Sequence, residues 1–180
     1  MRRTLTVAMA ALLAIALLAA PVSAKGDKAP AGPTIAEITD GEGFATLNFA
    51  LKAAGLYDVL DGKGQYTVFA PTDDAFAALE AENPGTIAYL VANPDVLTEV
   101  LLYHVTEGRR WSNSVFNANN SKAIEMLNGG YVWANPNLSL TDNDSLGLES
   151  PDANVVVDPP MFNINAGNGV IHVIDQVLIP

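Results

Sequence analysis

The chain has 180 residues, with 9 lysines and arginines against 20 aspartates and glutamates, two histidines and a formal net charge of -11. This acidic balance excludes a protein that binds nucleic acid through its phosphates. Because the sequence holds no cysteine, disulfides, cysteine metal sites and a thiol nucleophile are excluded as well. The length favours one domain that packing alone stabilises.

The first residues predict export. Two arginines precede an uncharged apolar stretch from Leu5 to Ala20, and small residues follow up to Ala24. This pattern is typical of a secretory signal peptide over residues 1–24, cleaved after Ala24. We therefore expect a secreted protein, extracellular or periplasmic, with no integral membrane segment after cleavage. Residues 25–33 are polar and rich in glycine and proline, which predicts a flexible linker.

The first half of the chain predicts short helices around one strand. Thr34 is suited to cap a helix that contains Ile35 and Ile38. The other elements predicted here are a helix over about 44–54, a turn at 61–64, a strand over 66–70, a helix that starts at Asp73, and helices over 86–91 and 95–102.

After Tyr103 the pattern changes to short strands separated by turn residues. The predicted strands cover residues 123–127, 131–134, 138–141, 153–157 and 170–179, and Asn128-Gly129-Gly130 predicts a hairpin turn. Both faces of the last strand are mainly apolar, so we expect it to be covered on both sides. Helices first and strands second predict an α+β domain, with the helices packed on an antiparallel sheet assembly around one core.

Two segments resemble the signature boxes of a known family. Tyr66-Thr67-Val68-Phe69-Ala70-Pro71-Thr72-Asp73-Asp74-Ala75-Phe76 and Asn168-Gly169-Val170-Ile171-His172-Val173-Ile174-Asp175 resemble the two boxes of the fasciclin (FAS1) domain, and Leu101-Leu102-Tyr103-His104-Val105 resembles its Tyr-His segment. Residues 34–180 have the length and order of one FAS1 module. The resemblance implies a wedge-shaped β-sandwich of antiparallel strands with a cap of short helices, without catalytic activity, in extracellular proteins that mediate adhesion.

We interpret both boxes as framework and not as a binding site. Thr72 or Asp73 can accept a hydrogen bond from free helix amides, and a histidine on an apolar strand face is expected to be a neutral core residue with a hydrogen-bond partner. The residues assigned to this structural role are Phe69, Pro71, Thr72, Asp73, Phe76, Asn168, Gly169, His172 and Asp175.

Tyr103 and His104 have two interpretations. In animal members of the family this segment is associated with integrin-dependent adhesion, so the resemblance implies a partner-binding role. The alternative, which we favour, is that Tyr103 packs in the core with its hydroxyl bonded.

Three aromatic residues are candidates for stacking against sugars. Trp111, Tyr131 and Trp133 lie in or beside polar, turn-rich sequence. Tyr131 and Trp133 share one face of their predicted strand, with Val132 opposite. Core packing is the alternative explanation for both of them.

The sequence shows little sign of metal or cofactor chemistry. Asp142 and Asp144 stand at the first and third places of a partial calcium loop, but Leu146 and Ala153 occupy places that need oxygen ligands. The motifs of serine hydrolases, zinc proteases and phosphate-binding loops are missing. No cofactor and no enzyme activity are expected, although an acid pair of the glycosidase kind remains open because separations in space are invisible in a sequence.

These features predict a secreted, non-enzymatic domain for adhesion or surface attachment. Its partner would be a protein or polysaccharide of a cell surface or extracellular matrix, contacted through loops. The alternative is a carbohydrate-binding module for an exopolysaccharide or cell-wall polymer, with Trp111, Tyr131 and Trp133 as stacking platforms. The sequence leaves the oligomeric state open.

Overall fold

A computed structural model describes residues 32–142, 152–158 and 161–180. The predicted signal peptide, most of the predicted linker and Asp144 lie outside the described residues. The described helices are α1 (Ile35–Thr39), α2 (Ala45–Ala53), α3 (Tyr57–Asp61), α4 (Asp73–Glu82), α5 (Thr86–Ala92), α6 (Pro94–Leu102) and α7 (Ser112–Val115). The strands are β1 (Tyr66–Pro71), β2 (Val105–Glu107), β3 (Lys122–Glu125), β4 (Tyr131–Ala134), β5 (Ser139–Thr141), β6 (Ala153–Asn154), β7 (Ile164–Ala166) and β8 (Gly169–Ile174).

The strands form two four-stranded sheets. Sheet A has the order β2-β1-β8-β7 and sheet B the order β3-β4-β5-β6. The predicted α+β class is confirmed, and most ladders are antiparallel. The prediction was wrong for the centre of sheet A, where β1 and β8 pair in parallel from Tyr66 opposite Gly169 to Pro71 opposite Ile174.

Sheet A separates two hydrophobic cores, where we predicted one. Val68 and Ile171 point into a core shared with the helices, whereas Phe69 and Ile174 point into a core shared with sheet B. Successive side chains of a strand face opposite ways, so β1 and β8 contribute to both cores. This confirms that the last strand is covered on both sides. The strand is shorter than predicted, because it ends at Ile174.

Side-chain caps fix where several helices begin. Thr34 and Glu37 form a capping box at α1, and the Thr72 hydroxyl accepts a hydrogen bond from the Ala75 amide at the start of α4. Gly55 has a positive φ of 69° directly after α2, as expected at a helix end.

The last residue of the predicted linker, Pro33, is bound to the domain, because its carbonyl accepts a hydrogen bond from the Gly167 amide.

Candidate functional site

The first signature box joins a strand to two helices. Phe69 and Phe76 are buried on opposite sides of sheet A, Pro71 ends β1, and Thr72 caps α4. Asp73 acts on a different helix from the one it begins, because its carboxylate accepts hydrogen bonds from the first two amides of α2, at 3.2 and 2.7 Å. Burial alone would raise the pKa of Asp73, but these hydrogen bonds outweigh it and lower the pKa. These contacts join β1, α2 and α4, and the framework role of the box stays a prediction.

The second box ties the ends of three elements together. The fully buried Asn168 accepts a hydrogen bond from the Ile35 amide at 2.8 Å and donates to the Leu60 and Gly62 carbonyls at 2.6 and 2.9 Å. Gly169 lies against the backbone of Tyr66, and an added Cβ would also come within 2.6 Å of the Ile35 side chain. Position 168 therefore requires asparagine for its three hydrogen bonds, and position 169 requires glycine because there is no space for a Cβ.

His172 is buried, as predicted, on the side of sheet A that faces sheet B, but only one of its ring nitrogens is paired. Its Nε2 lies 2.9 Å from the Arg110 carbonyl, which can only accept, so Nε2 carries the proton. Nδ1 has no hydrogen-bond partner among the described residues. The ring stacks on Phe69 and meets Phe116 edge-on, and burial lowers the pKa of His172. These contacts make it a neutral core residue.

Asp175, the last residue of the second box, is exposed and connects the two sheets. Its carboxylate accepts hydrogen bonds from the amide and the side chain of Asn154 in β6. The Asp175 amide in turn donates to the Asn154 carbonyl. This exchange links β6 to the end of β8, and the structural role assigned to Asp175 stays a prediction.

Tyr103 and His104 are buried, and for Tyr103 core packing is the alternative that we favoured. The Tyr103 hydroxyl donates to the Tyr131 carbonyl at 2.7 Å. The His104 ring donates from Nδ1 to the Val100 carbonyl and accepts at Nε2 from the Leu178 amide. Burial lowers the pKa of His104 to about 4, so the ring is neutral at pH 7. Both side chains are thus held inside the fold by hydrogen bonds to other elements.

Tyr131 and Trp133 form an exposed aromatic pair on the outer face of sheet B. They are 47% and 40% exposed, whereas Val132 between them is buried. Core packing, the alternative raised from the sequence, is therefore wrong for both side chains. Trp133 lies opposite the small residues Ala123 on β3 and Thr141 on β5, which leaves its ring uncovered by its strand neighbours.

A groove of about 360 Å³ runs beside the aromatic pair. Its lining consists of Glu99, Tyr103, the turn 128–130, Tyr131, Trp133 and Pro180. The turn needs both glycines, because Gly129 has a φ of 85° and a Cβ on Gly130 would come within 2.7 Å of the Tyr103 ring. We call this space the aromatic groove.

Glu99 was missed by the sequence analysis. It precedes Tyr103 by four residues, and the Tyr103 amide donates to the Glu99 carbonyl, so the two side chains share one helix face. That spacing is the signal that would have placed a carboxylate beside Tyr103. Pro180 could not have been found in this way, because no local pattern brings it to the groove.

A second groove, of about 330 Å³, lies on the other side of the same hairpin turn. It is lined by Thr106, Glu107, Arg110, Glu125, Met126, Leu127 and Gly129. Arg110 donates from its Nε to the Glu107 carbonyl, so its guanidinium is held at this groove. Glu125 lies opposite Tyr131 in the β3–β4 ladder and brings a carboxylate to the edge of the aromatic pair.

Trp111 is separate from this surface. It precedes α7, is 39% exposed, and its carbonyl accepts hydrogen bonds from the Ser114 and Val115 amides. It does not line the aromatic groove. The structure therefore brings together two of the three aromatic residues proposed as stacking platforms.

Of the partial calcium loop, Asp142 lies within the described residues. The Asp142 carboxylate accepts a hydrogen bond from the Ile179 amide at 2.7 Å, which holds the last residues against sheet B. Across residues 32–142, 152–158 and 161–180, no three His, Asp or Glu side chains are grouped closely enough to hold a metal ion. Among the same residues, no helix has the length and apolar character needed to cross a bilayer.

Comparison with known proteins identifies the family. The model of the Fasciclin domain family matches residues 42–180. Two proteins of Synechocystis sp., protein sll1483 and the uncharacterized protein sll1735, are each 39% identical to this chain; the alignments cover 82% of it, and 73% and 98% of the relatives. The chain therefore belongs to the Fasciclin domain family.

Longer animal proteins also contain the domain. The transforming growth factor-beta-induced protein ig-h3 of Sus scrofa is 32% identical over 82% of this chain, which spans 19% of that protein. Among solved structures, the FAS1 domain pair of the insect cell adhesion molecule fasciclin I matches 78% of this chain and 42% of that chain, with 18% identity and a TM-score of 0.45.

Proposed function

We propose that this protein is a secreted, non-enzymatic adhesion domain that attaches to a protein or polysaccharide of a cell surface or extracellular matrix. The observation that supports it most is the exposed pair of Tyr131 and Trp133 beside the aromatic groove. Membership of the Fasciclin family supports a binding role over a catalytic one.

The domain boundaries belong to the same proposal. A signal peptide over residues 1–24 is removed after Ala24. Residues 25–33 form a flexible linker, and residues 34–180 form a single FAS1 domain. The capping box at Thr34 supports this starting point, although the family match begins at residue 42.

Burying the aromatic pair supplies binding free energy. Removing a large apolar side chain from water contributes about 1.5 to 3 kcal/mol, and tyrosine and tryptophan are frequent hot spots of interfaces. Phe49 and Tyr89 are exposed as well, but they lie on the separate helices α2 and α5. Tyr131 and Trp133 differ because they share one strand face and one groove.

Tyr103 has a positioning role in this proposal. Its hydroxyl holds the backbone of Tyr131, and its ring packs beneath the turn at Gly130. The partner-binding role proposed for the Tyr103–His104 segment is thus indirect. Its contribution is to keep the aromatic pair in place.

The test is attachment of the chain from Lys25 to Pro180 to intact producer cells. We expect the double variant Tyr131→Ala, Trp133→Ala to lose at least about tenfold in affinity. Trp111→Ala is the matched control, because Trp111 is equally exposed but lies elsewhere. Thermal unfolding checks that both variants stay folded. Equal attachment by the double variant and the control would refute the proposed surface.

A carbohydrate-binding module is the second candidate function. It is favoured by the exposed ring of Trp133, which lies directly opposite the small residues Ala123 and Thr141 in its two ladders. Treating the cells with protease or with periodate separates the candidates. Periodate destroys sugar rings and removes attachment to a glycan, whereas protease removes attachment to a protein.

A further inference from the structure

We infer that the aromatic groove takes a saccharide that carries protonated amines, such as an oligomer of amino sugars without N-acetyl groups. The inference rests on the proposed binding surface and specifies its ligand class. Its basis is the combination of exposed aromatic faces with carboxylates along the same hairpin.

The charges around the hairpin are mostly negative. Among the described residues that line the aromatic groove, Glu99 is the only charged side chain. The adjoining groove adds Glu107 and Glu125 against one cation, Arg110. A carboxylate therefore lies at each side of the turn, in a chain whose net charge is -11. Acidic polysaccharides are repelled by this surface and cationic ones are attracted.

The register places a carboxylate next to an aromatic ring. Glu125 lies directly opposite Tyr131, and side chains opposite each other in an antiparallel pair have Cβ atoms about 4.5 to 5.5 Å apart. Trp133 follows two residues later on the same face, about 7 Å further along the strand. A ligand that spans both rings thus also reaches a carboxylate.

An amino sugar matches these groups better than a neutral sugar does. The ring face of a sugar packs on an aromatic face, and a protonated amine beside it gains attraction from the ring and a charge-assisted hydrogen bond from a carboxylate. A sugar whose amine is acetylated keeps the stacking and loses both charge contributions. Selectivity between the two forms is therefore the signature of this site.

A basic peptide is the competing ligand, and the geometry is less suited to it. Peptides gain affinity by pairing with an open sheet edge or by inserting apolar side chains into a groove. Here the rings lie on the face of β4, which is paired on both sides by β3 and β5. An exposed aromatic face suits the C–H face of a sugar ring, whose hydroxyl and amine groups point outward.

The experiment follows tryptophan fluorescence in the Trp111→Phe variant, in which Trp133 is the single tryptophan. The probes are glucosamine oligomers, N-acetylglucosamine oligomers of the same length and oligolysine, at about pH 6 so that amines are charged. We expect saturable quenching by the glucosamine oligomer and roughly tenfold weaker binding of the acetylated one. Added salt is expected to narrow this difference, because exposed charges are screened.

Glu99→Gln tests the carboxylate directly. The variant is expected to weaken binding of the glucosamine oligomer several-fold and to leave the acetylated oligomer unchanged. Glu82→Gln is the matched control, because Glu82 is an exposed glutamate of α4 outside both grooves. An equal response of the two variants would overturn the role of Glu99 in amine recognition.

The outcomes separate this inference from the proposed function. Equal binding of both sugar oligomers overturns amine selectivity and leaves a glycan-binding surface. If oligolysine quenches the fluorescence as strongly as the glucosamine oligomer does, with the same dependence on Glu99, the assignment of a saccharide ligand is overturned. Absence of quenching by any sugar overturns the inference even if attachment to cells still needs Trp133. Attachment to cells that does not depend on Trp133 refutes the proposed function. The fluorescence titration still decides which ligand the groove binds.

Discussion

Replacing Asn168 by alanine removes the side chain that joins α1, α3 and β8. The substitution leaves three backbone groups without their partner, the Ile35 amide and the Leu60 and Gly62 carbonyls, and two of the three lost bonds are fully buried. Each buried polar group left unpaired costs about 1 to 3 kcal/mol, so the variant is expected to lose about 3 to 5 kcal/mol of unfolding free energy. For a domain of this size the midpoint of thermal unfolding then falls by roughly 10 °C.

Urea denaturation followed by tryptophan fluorescence measures this loss. Asn165→Ala is the matched control, because Asn165 is an exposed asparagine on β7 whose side chain accepts one hydrogen bond, from Arg109. Its loss is expected to stay below about 1 kcal/mol. If Asn168→Ala loses no more than this control, the side chain does not carry the buried network that we assign to it.

Three further substitutions or conditions give separate tests. Burial lowers the pKa of His104 from 6.5 to about 4. Between these two pH values the unfolded chain binds more protons than the folded chain does. The free energy of unfolding is therefore expected to fall by roughly 3 kcal/mol as the pH drops from 6.5 to 4. Urea midpoints at several pH values measure it, and His104→Gln should flatten the slope. Asp73→Ala uncaps α2 and is expected to lose about 1 to 2 kcal/mol, whereas the exposed neighbour Asp74→Ala should lose less; equal losses would contradict the cap. Gly169→Ala forces a Cβ against the Tyr66 backbone and is expected to lose about 3 kcal/mol of unfolding free energy in the same urea assay. A urea midpoint equal to that of the wild type would show that β1 and β8 can move apart without cost.

Local signals predicted most of the helices and the strand-rich second half. Thr34, Thr72 and Gly55 mark helix ends through their own hydrogen bonds or backbone angles, which are properties of a few neighbouring residues. The missed elements are short: α3, α7, β2 and β7 have five residues or fewer. Helices of four or five residues carry little more than one period of a helix pattern, and strands of three residues carry less than two periods of a strand pattern, so tertiary contacts decide them.

The parallel pairing of β1 and β8 could not be predicted from local pattern. The sequence indicated that the last strand is covered on both sides, which is correct, but coverage does not specify the neighbouring strand or its direction. Residues about 100 positions apart meet in this ladder, and nothing near either strand encodes the encounter.

The candidate site was partly predictable. Alternation placed Tyr131 and Trp133 on one face of a strand, and the structure agrees. The pattern did not show which face meets solvent, because tryptophan and tyrosine are common in cores as well. The spacing of Glu99 and Tyr103 could show that they are neighbours on α6, but the groove needs α6 and the hairpin turn to approach each other, which no local pattern encodes. Binding by the aromatic pair stays a prediction.

The parallel ladder at the centre of sheet A also affects when the chain can fold. β1 cannot pair with β8 until residues 169–174 have been synthesised. Until then both cores also lack the side chains that β8 contributes. Long-range pairing of this kind slows folding, because a large loop must close before its contacts form. A nascent chain therefore cannot form its central ladder or complete either core before nearly the whole domain has been synthesised.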